Sequence, residues 1–408
     1  MKCNPVFGIL GTVAVIFGYH VAEAAKESVV YSFAGYSTDG QNPEAGVIDV
    51  NGTLYGTTYL GGTNDLGTVF ALDPATATET ILSSFTHDEA NGAWPAAGLI
   101  VDKGQLYGTT YNGGPDYDGT VFAIDPKTGS ETVLYAFQSG ADGFWPYAGV
   151  TDVRGALYGV TYEGGTFGYG TVFSIDRKTG VEIILHSFQS NASDGGFPYA
   201  GLSDIGGILY GTTVLGGSGH CDTSGCGSVY SVDPHTGAVT VLHAFANHTK
   251  DGNYPFSPLI ELKGRLYGTT FAGGGNGCAS AEGCGTIFSV DPKTGDEHLL
   301  HKFRPNSMDG LYPYAGLIEV GGTLYGTTFG GGTGSCIELG SRGCGTVFSI
   351  ELATGVETIV YSFRGGNDGA GPYAGLIDVN GVLYGTTSMG GGTGCHATGC
   401  GTVFKIKL

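Results

Sequence analysis

The phrase Leu-Tyr-Gly occurs seven times in this chain of 408 residues, with its tyrosine at Tyr55, Tyr107, Tyr158, Tyr210, Tyr267, Tyr325 and Tyr384. The spacings run from 51 to 59 residues. A unit repeated at that period is one supersecondary element that cannot bury its apolar face alone and must stack on its neighbours. Around each phrase lies a fixed order of four short segments: Pro-Tyr-Ala-Gly-Leu-Ile as at 313–318, Leu-Tyr-Gly-Thr-Thr as at 324–328, Gly-Thr-Val-Phe-Ser-Ile as at 345–350, and Glu-Thr-Ile-Val-Tyr-Ser-Phe as at 357–363. Each is rich in β-branched and aromatic residues and is bounded by turn residues, which is the pattern of a strand. Asn51-Gly52, Asn380-Gly381, Gly206-Gly207 and Gly321-Gly322 lie between the first and second segments, where a two-residue hairpin wants positive φ. Asp125-Pro126-Lys127-Thr128-Gly129 and Asp291-Pro292-Lys293-Thr294-Gly295 lie between the third and fourth as tight turns.

Four antiparallel strands repeated seven times predict an all-β fold, a seven-bladed β-propeller of four-stranded blades. The phase of the repeat strengthens this. The repeats open with an orphan fourth strand at 29–33 and end with an orphan third strand at 401–404, so pairing the two would complete one blade and close the ring. Closure removes the exposed edges of an open sheet. Composition agrees: 77 residues are glycine, which a helical protein would not tolerate, and the 12% aromatic content is wrong for a disordered chain. Residues 25–408 are read as one domain.

The first 24 residues read as a secretory signal peptide. Lys2 precedes a short apolar run, and Ala22-Glu23-Ala24 supplies the small-x-small pattern before cleavage. Setting Cys3 aside, eight cysteines form four close pairs: Cys221/Cys226, Cys278/Cys284, Cys336/Cys344 and Cys395/Cys400. On an exported chain these read as disulfides rather than metal ligands. The expected location is therefore secreted, periplasmic or at the cell surface. The net charge of −20 argues against nucleic acid and anionic membrane surfaces as partners. No membrane span is expected after signal cleavage, and a monomer without cofactor is expected.

The repeated phrases resemble the GloVer tandem-repeat family of bacterial exported proteins, with its Leu-Tyr-Gly-Thr-Thr, Gly-Gly, Gly-Thr-Val-Phe and Asp-Pro-x-Thr-Gly signatures. The resemblance spans residues 29–408 and implies a secreted or surface β-propeller. Members often carry a C-terminal sorting anchor, whereas here four residues follow Phe404. The family supplies no catalytic residues to carry over.

In such a blade the second-to-third loop and the blade-to-blade loop share one face. All the length variation lies there, and in blades four to seven the second-to-third loop holds the cysteine pairs. Rigid, variable loops on one face are where binding concentrates. The blade-to-blade loops also carry Asp-Gly-x-aromatic-Pro, which places Trp94, Trp145, Phe197, Tyr254 and Tyr312 at equivalent positions near the channel mouth. Such rings can stack on sugars or hold peptide side chains; equally, they can wedge between blades. The repeated Asp39, Asp142, Asp194, Asp251, Asp309 and Asp368 fit turns, since blade two carries Asn91 instead.

Catalysis should break the repeat. His186, His243 and His301 replace tyrosine at an equivalent position, which suggests an outer-strand surface place. The unmatched groups are His87-Asp88-Glu89, His248, Lys250 and Arg304, together with Asp116 and Asp118, whose spacing resembles a calcium loop. None forms a nucleophile elbow, zincin or P-loop motif. The expected function is a binding or interaction module for glycan or extracellular protein. The alternative is a polysaccharide lyase or hydrolase on the same scaffold.

Overall fold

The computed structural model describes residues 26–86, 91–219, 221, 225–246, 251–275, 277–278, 283–305, 309–336, 343–392, 394–395 and 398–408. The leader at 1–24 and the residues His87, Asp88, Glu89, His248 and Lys250 lie outside the described residues. Seven four-stranded antiparallel sheets are arranged as blades. Blade 1 runs Ile48–Val50, Thr53–Thr58, Thr68–Asp73 and Thr78–Ser84 from the inside outwards. Blade 7 takes three strands from the C-terminal repeat, Ile377–Val379, Val382–Thr387 and Thr402–Lys407, and its outermost strand, Lys26–Ser32, from the N-terminus. That last ladder runs antiparallel from Lys26 opposite Lys407 to Ser32 opposite Thr402, which is the closure the sequence phase predicts.

The core is the set of junctions between blades. At each, the phenylalanine that follows a fourth strand meets, edge to face, the aromatic residue of the next blade's third strand. Phe85 meets Phe122 at 5.3 Å between centroids, Phe137 meets Phe173 at 5.2 Å, and the ring closes with Phe363 on Phe404 at 5.0 Å and Phe33 on Phe70 at 5.2 Å. These rings are almost wholly buried. They also explain the glycine of Leu-Tyr-Gly: a Cβ on Gly56 would lie 2.6 Å from the Phe70 ring of its own blade. Second-strand threonines tie neighbours at the inner edge. Thr57 donates to the Ala97 carbonyl at 2.9 Å, and Thr386 donates to the Ala45 carbonyl at 2.9 Å across the closure.

One segment differs from its sequence reading. The Pro-x-Ala-Gly phrase is irregular backbone, and the innermost ladder begins only after it, as at Ile318–Val320. The cause is crowding at the centre of the ring. The phrases of adjacent blades pack on one another there, so a Cβ on Gly149 would meet the Gly98 carbonyl at 2.7 Å. Proline, which lacks an N–H, suits backbone that forms no ladder. The two-residue hairpins are as expected, with Asn51 and Gly52 at φ of 55° and 88°.

Candidate functional site: an aromatic funnel at the channel

The residue after the proline of each Pro-x-Ala-Gly phrase, and of the corresponding Pro255-Phe256-Ser257-Pro258, lines the central channel. In blade order these residues are Glu44, Ala96, Tyr147, Tyr199, Phe256, Tyr314 and Tyr373, around a cavity of about 400 Å³. The aromatic ones overlap like petals. Tyr147 stacks on Tyr199 at 4.8 Å, Phe256 on Tyr314 at 5.4 Å, and Tyr314 on Tyr373 at 4.2 Å. Across the channel the hydroxyls of Tyr199 and Tyr373 approach to 3.4 Å. Glu44 and Ala96 interrupt this ring at consecutive positions, leaving a polar, open sector. Burial pushes the Glu44 carboxyl up to about 7. Burial, followed by the nearby Glu44 charge, also raises the Tyr59 hydroxyl.

Two residues earlier, immediately before the proline, stand the aromatics singled out from the sequence. Trp94, Trp145, Phe197, Tyr254 and Tyr312 all adopt left-handed backbone, with φ of 56°, 59°, 58°, 54° and 60°. That region costs a bulky residue ~1–3 kcal/mol and persists only where its surroundings hold it. Two backbone hydrogen bonds hold each one. The Trp145 amide donates to the Asp118 carbonyl at 2.9 Å, and its own carbonyl accepts from Tyr162 at 3.1 Å. The rings are half-buried at the blade junctions. Trp94 contacts Tyr59 of blade 1 and Tyr111 of blade 2, at 6.3 and 6.5 Å. Tyr111 then reaches both Trp145 at 5.5 Å and the channel ring Tyr147 at 4.6 Å. The aromatic surface therefore runs continuously from the loop-rich face to the channel. It lapses at Asn42 and Gly371, on the side that also holds Glu44.

Four disulfides form as predicted, Cys221–Cys226, Cys278–Cys284, Cys336–Cys344 and Cys395–Cys400. Their second cysteines are not merely loop staples. Cys226, Cys284, Cys344 and Cys400 are at most 2% exposed and lie beside the phenylalanine that ends their blade. Their carbonyls accept the amide of the left-handed residue of the next blade: Tyr254 on Cys226, Tyr312 on Cys284, Gly371 on Cys344 and Asn42 on Cys400. In blades 1 to 3 Leu66, Asp118 and Tyr169 take that place. Asp118 is thus a buried backbone anchor whose carboxylate accepts the Ser139 hydroxyl, while Asp116 is exposed beside it.

The repeated aspartates clamp the blade-to-blade loops. Asp251 accepts the amides of Ala246 at 3.1 Å and Gly252 at 2.7 Å, and Asp309 those of Arg304 and Gly310. The histidines are not free surface groups as their exchange with tyrosine suggested. His186, His243 and His301 are half-buried and place Nε2 3.1 to 3.3 Å from Asp194, Asp251 and Asp309, where Tyr31, Tyr135 and Tyr361 donate to Asp39, Asp142 and Asp368. Either side chain supplies the one donor the aspartate needs, which accounts for the exchange. A glutamate of the next blade's outer strand stands against most of these pairs. Two such groups, His243–Asp251–Glu297 and His301–Asp309–Glu357, bring three possible ligand atoms within 4.8 Å of one another. Arg304 lies at this outer junction, away from the channel lining.

A sequence profile of the Gloeobacter/Verrucomicrobia repeat matches residues 8–224 and 193–339. The chain belongs to this family. No curated protein matches it. Among solved structures it is similar to an oligogalacturonate lyase in complex with manganese, at 11% identity and a TM-score of 0.50, over 94% of this chain and 90% of that one. It is also similar to the extracellular domain of a hybrid two-component system from B. thetaiotaomicron. There the identity is 12% and the TM-score 0.55, over 91% of this chain and 39% of that one. At these identities the likeness is one of fold.

Glu44 and Ala96 are the positions that reading the sequence for unmatched residues passed over. The signal was present: across the seven aligned copies, six Pro-x-Ala-Gly and one Pro-Phe-Ser-Pro, the residue after the proline is aromatic in five, glutamate in one and alanine in one. A frequent phrase hid the departure inside it, whereas rare residues drew attention to loops that lie elsewhere.

Proposed function

We propose that this Gloeobacter/Verrucomicrobia repeat protein is an exported binding module that takes a glycan chain at the aromatic funnel on its loop-rich face. The carrying observation is the continuous path of rings from Trp94, Trp145, Phe197, Tyr254 and Tyr312 down to the channel cavity. Rings held rigidly in strained backbone offer flat apolar area at little entropic cost to a sugar face. Four disulfides suit an oxidising compartment, and the apolar leader supports export. Among the described residues, no helix is long and apolar enough to cross a membrane.

Polysaccharide cleavage is the second reading, and Glu44 is what favours it. A carboxyl poised at about 7 suits proton transfer near neutral pH. Against it, hydrolysis of a glycosidic bond uses two carboxyl groups, and the residues lining the cavity include one. A glycan-array screen of residues 25–408, followed by incubation with each hit and analysis for shortened chains, separates the readings. Binding without products supports the module, chain cleavage supports the enzyme, and an array without hits overturns glycan recognition in favour of a protein partner or none.

A further inference from the structure

We propose that the funnel selects a ligand bearing an alkylammonium group, with Glu44 as its counter-charge. This rests on the binding reading above and names the chemistry of its ligand. Apart from tyrosine hydroxyls, Glu44 is the only ionisable group among the residues lining the cavity, and no lysine, arginine or histidine lies among them. Among the described residues its carboxyl has no ion pair and accepts no hydrogen bond. A charge drawn out of water without a partner is costly, and an arriving cation restores the partner. The walls fit the same class of ligand. Tyr199, Tyr314, Tyr373 and Phe256 present an aromatic enclosure, which attracts cations through ring quadrupoles. Ala96, standing where other blades place a ring, leaves the opening beside Glu44. A carboxylate at the only acidic position of a sevenfold ring is not required by the fold, because Tyr or Phe serves at the equivalent place in five blades.

The nearest chemistry that joins an amine to the proposed glycan is an oligosaccharide of unacetylated amino sugar. The test is isothermal titration of the mature chain with a glucosamine oligomer, its fully N-acetylated counterpart and tri-lysine, alongside tetramethylammonium as a probe with no proton to lose. At pH 7, where the weakly basic amino-sugar nitrogens still carry part of their protons and Glu44 is partly ionised, the free-amine oligomer binds roughly tenfold tighter than the acetylated one, the increment of a hydrogen bond to a charged group. Glu44→Gln abolishes that preference. The tetramethylammonium affinity falls as pH drops through about 7, where Glu44 gains its proton. Ala96→Tyr, which fills the opening, weakens both oligomers. A thermal melt confirms that both variants fold.

Equal binding of the two oligomers would overturn the ammonium proposal and leave the glycan reading standing. Binding of tri-lysine alone, lost in Glu44→Gln, would support the ammonium chemistry and overturn the glycan source. Binding of none of the four probes would overturn the ammonium proposal, and the array result would then decide the glycan reading separately.

Discussion

Phe33→Ala tests the ring closure, because Phe33 belongs to the N-terminal segment and yet contributes to the last junction of the circle. Its side chain is 2% exposed and meets Phe70 of blade 1 edge to face at 5.2 Å. It packs with Val30, Val47, Leu54 and the Cys395–Cys400 pair. Phe137 makes the matching contact in mid-chain, with Phe173 at 5.2 Å. Truncating a buried phenylalanine costs about 3–5 kcal/mol, of which the ring pairing supplies about 0.5–1.5. For a domain of this size, with an unfolding entropy of about 2.1 cal/mol/K per residue, that lowers the melting midpoint by roughly 4–6 °C. A closed ring gives both positions the same loss, within about 1 kcal/mol, in urea titrations followed by far-UV circular dichroism. If Phe33→Ala left the midpoint unchanged while Phe137→Ala lowered it by the full amount, the N-terminal strand would not be a working member of blade 7.

Other consequences follow from the same contacts. Thr386→Val removes the hydroxyl that reaches the Ala45 carbonyl across the closure and orphans a buried acceptor, so stability falls by about 1–3 kcal/mol in the same titration. Acid should stabilise the fold. Burial first, and then the neighbouring aspartates, raise Glu79 and Glu297 to about 7 and Glu182 and Glu357 to about 8. The folded chain therefore binds more protons than the unfolded chain above about pH 4.5. Stability is fully present below that pH and declines as pH rises through 7 to 8, with the size reduced by solvent screening at these partly exposed groups. A urea midpoint that climbs from pH 5 to pH 8 would contradict this. Replacing Cys221 and Cys226 together by serine removes the cross-link of a short loop, costing about 2 kcal/mol, and loosens the carbonyl that holds Tyr254. Both the melting midpoint and glycan affinity should fall.

The blade count, the strand order, the closure and the cysteine pairing were legible because each depends on local pattern repeated seven times. Turn residues such as Asn51-Gly52 announce their own φ, and the orphan strands at the two ends announce their partner. The junction chemistry was less legible because it joins residues whose partners lie in the neighbouring loop or blade. Tyr or His against the repeated aspartate is a contact over about eight residues, visible only as an unexplained exchange. The glutamate that stands against them comes from the next blade. Glu44 escaped for a different reason: its meaning lies in the six residues it faces, not in its own neighbours along the chain.

A glycan taken at the funnel mouth would lie against the tryptophans of this protein. The chain contains two tryptophans, and both, Trp94 and Trp145, stand in that mouth. Intrinsic tryptophan fluorescence is therefore a direct reporter of the site. Titration with a glycan that scores on the array should shift the emission with the same midpoint that calorimetry gives, and Trp145→Ala should weaken both together. Calorimetric binding with unchanged tryptophan emission, and with full affinity in Trp145→Ala, would place the ligand away from the funnel.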